Sequence, residues 1–365
     1  MKNQIYELYG HLINDNSEES LKNRKECKCP FYDGLCDGGG NRYQTFLSKR
    51  DLERNKLDDY FDSELDLIPP GVCSLIAKDT KWIVCPRRVF SFDQNGGRNY
   101  HYSLVSGIIR QFCDLIENEK IAIWAEAKVK YSETNDDDDT KSFDYTFDYV
   151  VASVAPKRID AIAKELGISE RKLQSSLEKT GQILSSRNGS IYMENYPVGK
   201  LNIVEIMTSS TSGGNKNKGT TIQQSFINAI KGNEHESPGI NYRQVWARMV
   251  SQLIVKSQIG SSWGSKTLWI VQDALANYIS GSTDLNLQKL ISQFSKEVNI
   301  VSLKYTEEKD KLGCLKLEVD NLYAGEIPKI TGDTDFNKLL QASVIPEMDM
   351  VKSKLLFKKP KAIIE

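Results

Sequence analysis

Three carboxylates on otherwise apolar stretches are the residues best suited to chemistry: Glu126, Asp148 and Glu205. The first lies in residues 122–131, where Trp124, Ala125, Ala127 and Val129 interleave with charge. Side chains alternate across a strand, so Glu126, Lys128 and Lys130 are expected on one face. The second lies in residues 143–152, which pass from alternating polar and aromatic residues into an apolar end just beyond Asp148. The third interrupts the apolar run 201–208, with Met207 two residues on and therefore facing the same way. A carboxylate on an apolar strand costs free energy unless it is paired, protonated or bound to a cation. Two or three converging on one point make a hard oxygen site suited to magnesium. Such a site can hold a phosphodiester, activate a water and stabilise the leaving oxygen. The competing reading is exposed strand residues or ordinary salt-bridge partners, and spacing alone does not choose.

Sulfur is the second chemical resource. Of the 7 cysteines, Cys27, Cys29, Cys36, Cys73 and Cys85 lie in the first quarter, among glycine- and proline-rich turns, while Cys113 and Cys314 stand alone. Two cysteine-bearing knuckles and two further thiols fit a tetrahedral thiolate site, for zinc or a single iron. The spacing is longer and less regular than in a standard zinc finger, and buried core thiols are the alternative. With only 3 histidines (His11, His101 and His235), a histidine triad or multi-histidine metal site has little material.

The elements that must position these groups follow from hydropathy. Residues 1–22 read as a polar helix beginning near Ile5, and 47–67 as a charged, partly helical stretch. Residues 101–118 repeat apolar residues with helical period, with Cys113 at the margin of the stripe. Helix, strand, acidic loop (132–142, with four consecutive aspartates) and strand then begin an α/β core. The stretch 156–200 separates Asp148 from Glu205 and is expected not to continue the sheet. Within it, 158–179 has a helix-turn-helix look, with small Ala163, turn residue Gly167 and apolar Ile168 and Leu173. It is either a plain helical hairpin or a groove reader presenting Arg171 and Lys172. Residues 187–190 read as a hairpin turn leading to the third strand.

After residue 208 comes a polar, basic loop carrying Lys216 and Lys218, then a short helix at 221–231. The loop either closes on a phosphate backbone or is a linker. Residues 241–256 form an amphipathic helix, with Val245, Met249 and Leu253 on one face and Arg243 and Lys256 on others. A buried strand at 266–273, a helix at 287–294, strands at 302–305 and 315–319 and a helix at 336–355 complete the chain. No internal repeat is visible.

Composition bounds these readings. A chain of 365 residues, 39% hydrophobic and 27% charged, has the makeup of a globular protein with one large core or two or three domains. No apolar run approaches a membrane span and residues 1–5 lack a signal-peptide core, so a cytoplasmic location without membrane contact is expected. The net charge of −1 requires any nucleic-acid surface to be a local patch offset by acids elsewhere.

Several local patterns, in order, resemble the NotI-type restriction endonucleases. Cys29-Pro-Phe with Cys36, Gly71-Val-Cys73-Ser and Ile83-Val-Cys85-Pro are similar to that family's N-terminal four-cysteine region. Trp124-Ala-Glu126, Asp148-Tyr-Val-Val and Val204-Glu205-Ile-Met207-Thr are similar to its active-site strands. Gly239-Ile-Asn-Tyr-Arg-Gln, with Gln252 and Lys256, resembles its following helix. Trp269-Ile-Val-Gln-Asp273 and Leu322-Tyr-Ala-Gly325 resemble its distal sheet. The resemblance implies a PD-(D/E)xK nuclease core, an α/β fold with a mixed central sheet flanked by helices. It implies an N-terminal metal region over 1–98 and an endonuclease domain over 99–365, with 156–200 as an insertion. It further implies a homodimer cutting both strands of a palindromic duplex, magnesium at the active site, and a cognate DNA methyltransferase as partner in the same restriction-modification system. Carried over by residue, Asp148 and Glu205 bind magnesium and Glu126 supports the metal or a water. Cys29, Cys36, Cys73 and Cys85 hold iron or zinc in a structural site, with Cys27 a spare or competing ligand. Arg171, Lys172, Lys216, Lys218 and Arg243 are the expected DNA contacts.

The sequence departs from the family pattern at one chemically important point. Where the family places glutamine two residues past the last acid, and other nucleases of the fold place lysine, this chain has Met207. A thioether neither orients a water nor stabilises developing charge. Lys128, expected on the Glu126 face, is the candidate replacement. Without one, the alternative is a DNA-binding regulator of weak or no activity that uses the 158–179 hairpin. A redox protein built on the cysteines ranks below both, because thiolate knuckles rigidified by proline and glycine are structural more often than reactive.

Overall fold

The structure, a computed structural model, describes residues 2–32, 34–39, 46–92, 100–113, 119–134, 140–282, 296–326 and 344–364. At its N-terminus, β1 (Gln4–Leu8) pairs with β2 (His11–Leu12), and on its other edge with β3 (Val72–Ala77). β3 in turn pairs with β4 (Thr80–Ile83). The helix expected over 1–22 is thus a strand pair followed by a shorter helix, α1 (Glu18–Lys25). Ile5 and Leu8 are buried where β1 lies against β3, and that cross-strand burial outweighs the helical spacing of the apolar residues. Gly71 admits the Tyr9 ring at the start of β3: a Cβ there would lie 2.2 Å from the ring, and Tyr9 N donates to Gly71 O at 2.7 Å.

Among the described residues the main sheet is mixed and has nine strands. Its axis is a hairpin of two long strands, β5 (Lys120–Thr134) and β6 (Thr140–Arg158). The aspartates at 136–139 lie outside the described residues. The free edge of β6 is shared. β9 (Asn202–Met207) pairs with it antiparallel at Tyr149–Val151, and β8 (Ser190–Pro197) takes over from Val154 to Arg158. β7 (Leu184–Arg187) completes a hairpin with β8. Beyond β9 the order continues through β10 (Thr267–Gln272), β11 (Val298–Lys309) and β12 (Leu315–Gly325). The β9/β10 and β10/β11 pairs are parallel and β11/β12 is antiparallel. β13 (Ala362–Ile364) closes the far edge of β5.

The stretch 156–200 therefore does continue the sheet, contrary to expectation. Only its first part is a helical hairpin, α4 (Ile159–Leu166) and α5 (Glu170–Lys179), which ends α4 at Gly167 in the left-handed conformation. Its apolar faces bury Ile159, Ile162, Leu173 and Leu177 against Met193 of β8. The partly polar alternation of β7 and β8 hides their edge position, because those strands bury one face only weakly.

Helices cover both faces of the sheet. On one side α3 (Tyr100–Phe112) packs Val105, Ile108, Ile109 and Phe112 against Ile121, Val151, Val204 and Ile270. On the other lies α7 (Tyr242–Ser262), 21 residues long, preceded by α6 (Ile222–Ile230). Two apolar clusters meet beneath α7. One holds Ile203, Phe147, Val150 and Ile259; the other holds Met207, Val245, Met249 and Trp269 together with Ile5, Leu8 and Leu75 from the N-terminal sheet. The N-terminal strands thus share a core with the main sheet, and the boundary expected at residue 98 falls outside the described residues. The helix expected at 287–294 also lies outside them, and of the one at 336–355 only α9 (Met348–Leu356) is described. Among the described residues no helix is long and apolar enough to cross a membrane.

Candidate active site

The sheet is irregular where the carboxylates lie. In β5, Trp124 and Ala127 join the same apolar cluster although three residues apart, and in β6 so do Phe147 and Val150. Strict alternation would place such residues on opposite faces. Both strands slip together, so the register is kept: Phe147 pairs with Ala127 and Tyr149 with Ala125, with no ladder pair between them. Glu126 sits at the slip with φ of 50°, a left-handed conformation that non-glycine residues seldom adopt. Its side chain and that of Asp148 both reach the wall of a single large cleft.

Across β6, the ladder to β9 ends at Tyr149–Val204, one position short of the next acids. There the backbone bonds are replaced by side chains. Asp148 Oδ2 accepts from Ile206 N at 2.9 Å, and Glu205 Oε1 accepts from Asp148 N at 3.3 Å. The two carboxylates are thus fixed on adjacent central strands, each by the other's chain. Glu205 is 1% exposed, whereas Asp148 is half-buried and opens to the cleft.

The cation at this point is Lys256, from α7. Its Nζ donates to Glu205 Oε2 at 2.5 Å and to Thr146 O at 2.9 Å, and the residue is 3% exposed. The helical reading put Lys256 off the apolar face. In the fold it shares that face, seven residues past Met249, in the seam between the two apolar clusters where Glu205 also falls. Burial foremost, and then the Asp148 charge, push the Glu205 carboxyl up to about 8, while Lys256 pulls it down. Lys128, the expected cation, is exposed on the cleft wall, and among the described residues no ion pair joins it to Asp148 or Glu205. Met207 is buried beside the site, with Arg248 Nη2 at 3.7 Å from its sulfur.

The cleft has a volume of about 1700 Å3. Cations line it well in excess of acids: Arg87, Lys128, Lys216, Arg248, Lys358 and Lys361 against Glu126 and Asp148. That excess makes the cleft a local basic patch in a chain whose net charge is −1. Lys216 is the one expected DNA contact that lines it. Lys218 and Arg243 are exposed outside the lining, as are Arg171 and Lys172 on the α4–α5 hairpin. Sequence reasoning missed the C-terminal lysines. Lys358 Nζ donates to Glu126 O at 2.7 Å, and Lys361 N donates to Ile123 O at 2.7 Å, which seats the segment along β5.

The cysteines gather at the cleft's edge. Cys29, Cys73 and Cys85 are buried together, with Cys36 packed against them. Backbone N–H groups face each sulfur: Gly10 N on Cys73 at 3.3 Å, Gly38 N on Cys36 at 3.4 Å, Phe31 and Tyr32 on Cys29, and Arg87 and Arg88 on Cys85. Gly39 is required for this approach, since a Cβ there would lie 2.8 Å from Cys85 Sγ. Burial, and next the neighbouring Cys85, push the Cys29 thiol up to about 12. Among the described residues no set of three or more His, Cys, Asp or Glu side chains has the arrangement of a formed metal cage. Cys27 stands apart in the main core, its sulfur 3.5 Å from the Tyr9 hydroxyl. Cys314 joins the four-thiol pocket instead of standing alone. Cys113 is half-buried near Asn202. Tyr32, beside Cys29, carries Arg87 on its ring at 4.3 Å and Lys361 at 4.1 Å, so the thiol pocket and the cleft share a wall.

Comparison with protein-family models, curated proteins and solved structures finds no match for this chain.

Proposed function

We propose that the chain is a magnesium-dependent nuclease of the PD-(D/E)xK class, and within it a type II restriction endonuclease that cuts palindromic duplex DNA as a homodimer. The observation carrying this reading is the pair of acids on adjacent central strands. Asp148 and Glu205 replace the ladder where β6 and β9 part, next to a cleft lined with cations. The donor set fits a hard divalent ion, since the single charge of Lys256 offsets only part of the two carboxylates. Magnesium held by Asp148 and Glu205 supplies Lewis acidity at phosphorus and a more acidic water.

The chain's own residues do the rest. Lys216, Lys358, Lys361 and Arg248 offset the phosphates of a duplex laid in the cleft. Asp148 and Glu205, held by backbone N–H groups, keep their oxygens in place without reorganisation during reaction. Glu126, in its strained conformation, faces the same space and supports a water. In the hydrolysis a water oxygen bonds to phosphorus and loses a proton, while the ester oxygen leaves and gains one. Four thiols in one pocket, each with backbone N–H groups on its sulfur, fit a thiolate-bound iron or zinc with a structural task. A cytoplasmic location and a partner methyltransferase belong to this proposal.

Met207 favours a second reading, a DNA-binding regulator that has lost cleavage. Incubation of the purified protein with phage and plasmid DNA, with and without magnesium, separates the two. Discrete magnesium-dependent fragments are expected. Tight duplex binding with no cutting of any DNA overturns the nuclease reading and leaves the regulator.

A further inference from the structure

We propose that Lys256 supplies, from α7, the fixed positive charge that β9 lacks at Met207. This rests on the nuclease reading and adds to it a positioning residue that acts through Glu205. Met207 and Glu205 point toward α7 from the same face of β9, so a cation at 207 would stand beside the Glu205 carboxylate. Lys256 reaches that place from the opposite side of the same gap, 2.5 Å from Glu205 Oε2. Its second contact, Thr146 O at 2.9 Å, lies on β6 two residues before Asp148, so one ammonium ties together the two strands that carry the acids. Among the described residues no other cation forms an ion pair with Asp148 or Glu205. Arg248 approaches Met207 but is exposed on the cleft side.

Packing gives no reason for lysine here. The face of α7 that carries it buries Val245, Met249 and Ile259. Methionine at 256 would continue that apolar face. Buried ion pairs replaced by apolar residues of similar size are often neutral or stabilising, so a buried pair is weak evidence for a stability role. What distinguishes this pair is the second carboxylate beside it. Asp148 and Glu205 together place two carboxyl groups where a phosphate must approach, and whenever both are ionised Lys256 removes part of that repulsion while holding Glu205 in one orientation.

The test compares the wild type with Lys256→Met and with the double variant Lys256→Met/Met207→Lys. Three readouts are taken: thermal melting, cutting of a plasmid that the wild type cuts, and binding of a fluorescent duplex spanning the cut site without divalent cations. Lys256→Met, which leaves Glu205 buried without its cation, is expected to melt below the wild type, to cut about 100-fold more slowly and to bind the metal-free duplex more weakly. The double variant is expected to regain about tenfold of the cutting rate, and the duplex affinity with it. Wild-type cutting by Lys256→Met overturns the proposal, as does a folded double variant no better than the single one. Should Lys256→Met fail to fold, the double variant decides alone: folded and cutting supports the proposal, folded and inert overturns it. A wild type that neither cuts nor binds any duplex instead overturns the nuclease reading and this proposal with it.

Discussion

Among the described residues two ion pairs are buried, and they are built differently. Arg88 and Glu7 are both fully buried, and each side-chain nitrogen of Arg88 and each carboxylate oxygen of Glu7 has a hydrogen-bond partner. Arg88 Nε and Nη2 meet Glu7 Oε2 and Oε1 at 3.0 Å each, while its other N–H groups donate to Tyr100 Oη and Leu315 O at 2.7 Å. Ser74 and Tyr305 hydroxyls complete Glu7 at 2.7 and 2.6 Å. Burial works against the guanidinium's charge, but Glu7, with Tyr100 and Tyr305, holds its pKa well above the ordinary value. The pair thereby fastens β1, β3, α3, β11 and β12 together, away from the cleft. Lys256 and Glu205 are almost as buried, yet a second carboxylate lies against them and the cleft lies next to them. A pair whose charges and lone pairs are all answered holds a fold together. A pair left with surplus negative charge beside open space is prepared for a further cation or a reacting group.

The largest expected effect tests the first half of this contrast. Arg88→Met leaves Glu7 charged, buried and unpaired, and should cost about 3–5 kcal/mol in urea unfolding. A loss under about 1 kcal/mol would mean that the pair is not what joins these elements. On the other side, Asp148→Asn should slow cleavage at least about 100-fold while the melting curve stays near that of the wild type. Retained cleavage would remove Asp148 from the site. Cys85→Ser should lower iron or zinc per chain, measured by elemental analysis, and yield less folded protein; unchanged metal content would make the cluster plain core thiols.

Smaller effects sharpen the comparison. Glu126→Gly relieves the left-handed backbone and should raise stability by about 1 kcal/mol while lowering activity, a trade expected of strain kept for function. Lower stability would place Glu126 among structural residues. Smallest of all, charge reversal at Arg171 and Lys172 should change duplex affinity little, since neither lines the cleft. A marked loss with a shallower salt dependence would make the α4–α5 hairpin a DNA contact after all.

Much of the site was legible locally. Glu126, Asp148 and Glu205 were recognisable as acids on apolar strands, and the knuckle cysteines by their turns, because both signals lie within a few residues. The paired slip at Glu126 and Asp148 also left a trace. The apolar residues change parity, from Trp124 to Ala127 and Val129 in β5, and from Phe143 and Phe147 to Val150 and Ala152 in β6. Read as plain alternation, that change is lost. Lys256 was noted in the helix pattern but not placed at the site: its distance of seven from Met249 marks a shared helical face, but a lysine there reads as solvent-facing unless its partner is known.

By itself, then, the sequence determined the strands that carry the acids, the helices that cover them and the thiols drawn to one end of the chain. These follow from alternation, helical period and turn chemistry, which act between near neighbours. Only the tertiary structure decided which cation meets Glu205, that 156–200 adds β7 and β8 to the sheet, that Cys314 joins the thiol pocket, and that Lys358 and Lys361 line the cleft. Each depends on a contact between residues far apart in the chain. Such contacts are set by how sheet edges and helix faces are completed, and no local pattern encodes that choice.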